Sequence, residues 1–355
     1  MDRKRLLSIG VSAALLIAIF WFVLPQMADF SDVRSEIGAM TAIELGILAA
    51  AAMWNLATYW ISMVAATPGL THRQAMVVTQ STTAVANTIP GGSAISVGLS
   101  YAMLGSWGFS KSRSTVSLVV AGIWNNFVKL GMPVLALALL AFQGQASGSR
   151  VVSGIAGIGA LIASVVVFAS ILRSETFAFR AGEAAGRAAR PIRRILHRGP
   201  ATGWGDATVK FRDRVVGLVQ ERWARLTVTS LVGHFSLFAV LLLTLRNIGV
   251  SNTDVSWIEA LAVFAFVRLL TAIPIMPGGL GIVEVGLIAG LTTAGGDKGQ
   301  VAAAVLVYRL LTYVVPILFG VCTYLFWRRN TSWRNSAPPL ATQPDAPVAV
   351  PATVG

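Results

Sequence analysis

Apolar residues in this chain come in long blocks, not at alternating or heptad positions. Blocks at about 6–24, 43–66, 114–142, 151–172, 226–248 and 300–327 each predict a membrane-spanning helix, because a ~30 Å hydrocarbon core takes about 20 residues at 1.5 Å rise per residue. Two more apolar regions, 75–107 and 257–294, are interrupted by a motif that occurs once in each half: PGGSAISVGL at 90–99 and PGGLGIVEVGL at 277–287. The pieces 75–89, 93–107 and 282–294 are only ~20 Å long as helix, too short to cross alone. Residues 257–276 are long enough to span. Two structures satisfy this pattern: re-entrant helical hairpins broken at the PGG motifs, or a pair of ordinary spans kinked there. Paired Pro/Gly breaks in corresponding places of two halves point to a binding site made of broken helices.

Charge placement favours hairpins. With Arg3, Lys4 and Arg5 inside, two spans return the chain to the cytoplasm at His72 and Arg73. A hairpin dipping from inside brings Lys111 and Arg113 back to that side, and two further spans leave 173–225, with its twelve Lys/Arg, cytoplasmic. The fifth span exits, the second hairpin dips from outside, and the last span ends inside at Arg328 and Arg329. Only Arg34, Arg150, Arg246 and Lys298 fall outside or at the outer edge, a strong positive-inside bias. The expected fold is thus an all-α polytopic membrane protein: about six full spans plus two re-entrant helical hairpins in an inverted repeat. Its transmembrane domain covers 1–330, with halves at about 1–142 and 151–330. Residues 331–355 form a cytoplasmic tail, Pro/Ala-rich from Ser336 and expected to be disordered.

Composition agrees. Of 355 residues, 55% are hydrophobic and 12% charged, with mean hydropathy +0.70; soluble domains carry about 25% charge. The net charge of +13 follows membrane sidedness and implies no nucleic acid. The apolar run Leu6–Leu24 is longer than a signal-peptide core and lacks a small-x-small site before Pro25, so it reads as an uncleaved first helix. The single cysteine, Cys322, and three scattered histidines, His72, His197 and His234, offer no disulfide or zinc spacing; no metal or cofactor is expected. The basic segment 173–225, with Phe177, Phe179, Ile192, Ile195 and Leu196 interleaved, reads either as amphipathic helices on an anionic leaflet or as a solvated linker.

Four charges fall within apolar segments: Lys129, Arg268, Arg309 and Glu284. Such residues are costly in lipid and are functional candidates. Three positive charges against one negative favour an anionic group, most simply a phosphate. Helices starting after each PGG would aim free N–H groups and the positive dipole end at the cavity. Pro90 and Pro277 break the helices, while Gly91, Gly92, Gly278, Gly279 and Gly281 let backbone approach a ligand. Glu284 pairs with Arg309 or Arg268, carries a proton, or acts as a counter-charge that the ligand displaces; its protonation decides. Asn55, Gln80, Asn87, Asn125 and Asn126 either line a pathway or bond between helices, as His234 would. Trp21, Trp60, Trp107, Trp257 and Trp327 read as interfacial belt residues. Neither a phosphate-binding Gly-rich loop with its Lys and Ser/Thr nor H-E-x-x-H nor G-x-S-x-G occurs, and no enzyme activity is expected.

The block Pro277, Gly278, Gly279, Leu280, Gly281 and Glu284, followed by Tyr308, Arg309, Leu310, Pro316 and Gly320, resembles the lysylphosphatidylglycerol synthase transmembrane-region family, also called flippase-like domain proteins. The likeness covers about residues 5–330 and adds Tyr308 to the site residues. The first half departs from the pattern: PGGSAISVGLSY lacks the Arg or Glu that many relatives carry there. The soluble aminoacyl-transfer domain of the true synthases has no counterpart. The resemblance implies a lipid-moving protein of the inner membrane whose partners are lipids with anionic head groups: phospholipids or polyprenyl-phosphate-linked precursors. The alternatives are a membrane enzyme acting on lipid phosphates and a non-transporting scaffold for envelope assembly.

Overall fold

The computed structural model describes residues 40–89, 91–142, 148–195, 203–271 and 277–334, with Ser35 and Gly38. The expected first span at 6–24, Pro90 and the segment from Ser336 lie outside the described residues. Regular structure among them is helical: α1 Ala42–Ala66, α2 His72–Thr88, α3 Gly92–Ser106, α4 Lys111–Phe142, α5 Gly148–Arg173, α6 Glu175–Ile195, α7 Trp204–Asn247, α8 Trp257–Leu270, α9 Ile282–Thr293, α10 Lys298–Arg309 and α11 Val315–Arg329. A 3₁₀ turn at Pro277–Gly279 precedes α9, and a π turn at Leu310–Val314 joins α10 to α11.

The helix starts follow from local sequence. Thr41 with Glu44, Thr71 with Gln74 and Ser256 with Glu259 form capping boxes at α1, α2 and α8, each satisfying backbone donors that a helix leaves open. Arg246 closes the turn between α7 and α8 by donating to Val250 O and Val255 O at 2.7 and 2.9 Å.

Among the described residues, four helical units are long and apolar enough to cross a membrane: α1, α4, α7 and the continuous Lys298–Arg329 segment. The segment Leu161–Arg173 with Glu175–Arg190 is a fifth candidate, bent by 112°. The expected span 226–248 is the C-terminal half of a 44-residue helix. Its N-terminal half packs on α6, where a Cβ on Gly205 would lie 2.4 Å from the Phe179 ring and one on Gly182 2.4 Å from Trp204 O. The described parts of the basic segment 173–225, α6 and the first half of α7, are therefore packed helices and not an open linker. Trp107 also departs from expectation: it is 1% exposed and sits edge-on to Trp333, inside the protein and not in an interfacial belt.

Each PGG region is a hairpin. α2 and α3 pack together across a three-residue break. In the second, Gly286 abuts Val267 and Gly290 abuts Val263; added Cβ atoms would come within 2.8 and 2.5 Å of those side chains. The descending register shows antiparallel arms, so a kinked continuous span is excluded here. With 12–17 residues each, the arms reach only about 18–26 Å.

The long helices then pair reciprocally. α1 runs antiparallel to α7: Asn55 Nδ2 donates to Ser236 Oγ at 2.7 Å and to Gly233 O at 3.2 Å, while Ala65 and Ala66 share a cluster with Leu226. α2 runs antiparallel to α11: Ser81 bonds Thr323 at 3.0 Å, and Tyr313 just ahead of α11 donates to Asn87 O at 2.6 Å. α4 packs on α8, Leu137 and Leu140 sharing one pocket with Val263 and Lys129 sharing another with Arg268. Exchanging α1 with α7, α2 with α8 and α4 with the α10–α11 unit maps this set of contacts onto itself.

Small residues permit these approaches, as expected where lipid supplies no hydrophobic drive for helix association. A Cβ on Gly320 would sit 2.3 Å from Gln80 O, a backbone atom that no rotamer change can move. Gly320→Ala is expected to lower stability in detergent by about 1–3 kcal/mol. Gly46→Ala, which meets nothing within 4 Å, is expected to leave it unchanged. Thermal unfolding of the two variants side by side checks this.

Candidate functional site

The breaks of the two hairpins meet. Gly278 takes φ +58, and a Cβ there would lie 2.3 Å from the Tyr313 ring and 2.9 Å from Asn87 Oδ1. Beside this contact is a cavity of about 310 Å³. α1 contributes Asn55, Leu56 and Tyr59; α2 contributes Gln80, Thr83, Ala86 and Asn87; α3 adds Ser93 and α4 adds Lys129. The second half supplies Leu237, Arg268, Thr271, Gly278, Gly279, Tyr308, Arg309, Thr312, Tyr313 and Pro316.

Lys129, Arg268 and Arg309, far apart in sequence, thus face one cavity. Arg309 is held in place: its Nε donates to Glu284 Oε1 at 2.6 Å, Nη2 to Gly278 O at 3.3 Å, and its guanidinium lies 4.3 Å from the centre of the Tyr313 ring. The other carboxylate oxygen of Glu284 accepts the Gly281 N–H at 2.7 Å, capping α9. This is the structural pairing among the roles read for Glu284, and it accounts for one of the three positive charges. Lys129 and Arg268 form no ion pair among the described residues. The described lining contains no carboxylate, so its field favours an anion.

The π turn belongs to this geometry. Val315 N–H reaches Leu310 O, five residues back. Pro316 follows and has no N–H of its own to donate. The extra residue helps Tyr308, Arg309, Thr312, Tyr313 and Pro316 all to face the cavity; π turns often mark functional positions.

The expected site is gathered in part. Lys129, Arg268, Arg309, Tyr308, Gly278 and Gly279 line the cavity. Glu284 and Gly281 are not in the lining; Glu284 holds Arg309 and takes the Gly281 N–H at the start of α9. Gly91 and Gly92 are not in the lining. Gly92 serves close packing, since a Cβ there would lie 2.3 Å from Val85 O; Ser93, the next residue of α3, reaches the cavity. Pro277 is placed by its backbone in the 3₁₀ turn. Of the polar candidates, Asn55, Gln80 and Asn87 line the cavity, while Asn125 and Asn126 do not. His234 bonds within its own helix, with Nδ1 3.0 Å from Ser230 O, and not between helices. Tyr59, Thr312 and Tyr313 were missed. The signal available for Tyr313 was its position four residues after Arg309, on the same helix face.

The comparisons with known proteins bear on this geometry. The family model described as the lysylphosphatidylglycerol synthase TM region matches residues 5–320. The chain belongs to this family. A UPF0104 membrane protein of Methanocaldococcus jannaschii is 42% identical over 62 residues, 18% of this chain and 26% of that protein; the match therefore spans about a quarter of the relative's length. The protein is accordingly a multi-pass membrane protein of a lipid-related family. The family-like residues of the second half converge on one place here: Glu284 and Gly278 bind Arg309, Tyr308 and Pro316 line the same cavity, and Gly320 seats α11 on Gln80.

Proposed function

We propose that this protein is a carrier, not an enzyme, that moves an amphipathic lipid with an anionic head group across the inner (cell) membrane. The central cavity takes the head group and opens alternately to the two sides. The observation that carries this reading is the convergence of Lys129, Arg268 and Arg309 where the two hairpin breaks meet, with one carboxylate to offset them. Arg268 and Lys129 supply the charge left for a phosphate; Arg309, tied to Glu284, shapes the wall. The reciprocal pairing of the two halves supports an inverted repeat, the architecture in which one half rocks against the other around a fixed site. Under the same reading both termini are cytoplasmic, and the basic helix pair of 173–225 lies toward the anionic leaflet.

A binding measurement tests the charge role. Protein purified in mild detergent is expected to retain phosphatidylglycerol over phosphatidylcholine, and Lys129→Ala/Arg268→Ala to lose at least about 90% of that preference, since charge-assisted hydrogen bonds contribute roughly 1.5–3 kcal/mol each. Unchanged selectivity in a correctly folded double variant would remove the site from the account.

A further inference from the structure

The same cavity carries information about what the phosphate is attached to, and this inference rests on the carrier reading above. Two residues of its lining each carry an orphaned polar atom. Arg268 Nε, a donor, and Gln80 Oε1, an acceptor, are buried with no hydrogen-bond partner among the described residues. Gln80 is 1% exposed, and a buried acceptor left without a partner is destabilising. A bare phosphate meets only the first, because it supplies acceptors. Gln80 needs a donor from elsewhere on the ligand.

Two common head-group donors are ammonium and hydroxyl. An ammonium would enter a cavity where Lys129 and Arg268 already stand without an ion-pair partner among the described residues, and be repelled by both. A hydroxyl is neutral and both donates and accepts, so it matches a carboxamide whichever end it meets. The surrounding wall has the same character, with Asn55, Tyr59, Thr83, Asn87, Ser93 and Thr312 on the side supplied by α1, α2, α3 and the π turn. The volume, about 310 Å³, is at the low end of the ~300–1,000 Å³ typical of small-molecule sites. It suits a phosphate with one small polyol or sugar unit, the acyl or prenyl chains staying outside.

We infer that the cavity recognises a hydroxyl-bearing phosphodiester head group, its phosphate at Arg268 and Lys129 and a hydroxyl at Gln80, in preference to an amino-bearing or unsubstituted one.

The test uses full-length protein stripped of endogenous lipid and then offered phosphatidylglycerol, phosphatidylmethanol or phosphatidylethanolamine with identical acyl chains, bound lipid being quantified by mass spectrometry. Phosphatidylmethanol has the charge of phosphatidylglycerol without its hydroxyls. Wild-type protein is expected to retain phosphatidylglycerol roughly fivefold better than phosphatidylmethanol, the worth of about one hydrogen bond, and phosphatidylethanolamine least. Gln80→Leu is expected to bring phosphatidylglycerol down to the phosphatidylmethanol level, removing the preference. Equal retention of these two lipids by wild-type protein would overturn the inference, and that comparison stands even if Gln80→Leu does not fold. Failure of the underlying carrier site looks different: Lys129→Ala/Arg268→Ala would then bind all three lipids as wild type does. Soluble glycerol 3-phosphate in large excess is expected to leave bound phosphatidylglycerol in place; displacement would overturn the lipid assignment in favour of a water-soluble phosphate ester.

Discussion

Replacing Arg309 with alanine is expected to destabilise the protein by about 3–5 kcal/mol, the usual cost of stripping one partner from a buried ion pair. Glu284 is 4% exposed, and its Oε1 faces the Arg309 Nε at 2.6 Å. Without the guanidinium, the carboxylate keeps only the Gly281 N–H. The loss extends further, because Arg309 also holds Gly278 O and covers the Tyr313 ring, and so joins α9, the PGG turn and the last span. Unfolding in a single detergent, measured for Arg309→Ala, Glu284→Ala and the double variant, gives the coupling directly. The double variant is expected to be markedly less damaged than the sum of the singles. Additive small effects would mean that the pair does not anchor the turn.

The second large effect is expected at Gly278. Its left-handed backbone costs any residue with a Cβ about 1–2 kcal/mol. That atom would also arrive 2.3 Å from the Tyr313 ring and 2.9 Å from Asn87 Oδ1. The ring has no easy retreat, held by Arg309 on its face and by its own hydroxyl bond to Asn87 O. Gly278→Ala is therefore expected to cost about 2–4 kcal/mol in all, strain and overpacking together, and to abolish lipid binding by pushing the hairpin breaks apart. Gly281→Ala separates the two causes. It also has positive φ, +80, but meets nothing within 4 Å, so it is expected to show the backbone cost alone. Unfolding midpoints and retained phosphatidylglycerol, compared for the two variants, check both parts.

Membrane class, hairpin breaks and intramembrane charges were legible in the chain because each is a local signal. An apolar block reports a span, PGG interrupts one, and a charge inside one stands out. Lys129, Arg268 and Arg309 were singled out because they fall within apolar segments, and they are seen to share a cavity. Tertiary packing decided the rest. Gly91 and Gly92 look like the glycines of the second motif, yet one copy of the motif turns its backbone to the cavity and the other packs Gly92 on Val85 O. Trp107 has the position of a belt residue and is covered by Trp333. The polar run Gln80–Thr83 with Asn87 lies in a helix with no strong apolar face of its own. It acquires meaning only when α11 closes over one side and the cavity opens on the other. The π turn has no reliable sequence signature, so the alignment of Thr312 with Arg309 and Tyr313 was not readable.

Under the proposed function, this cavity carries an anionic lipid from one leaflet to the other. The direct measurement is transbilayer movement of a short-chain fluorescent phosphatidylglycerol in vesicles reconstituted with full-length protein, read by quenching from outside, beside vesicles holding Lys129→Ala/Arg268→Ala. Wild-type protein is expected to move the probe at least about tenfold faster than the double variant, the rate equivalent of ~1.4 kcal/mol of lost stabilisation, with the phosphatidylcholine analogue slow in both. Equal rates for wild type and variant at equal protein density, or no movement above protein-free vesicles, would contradict it.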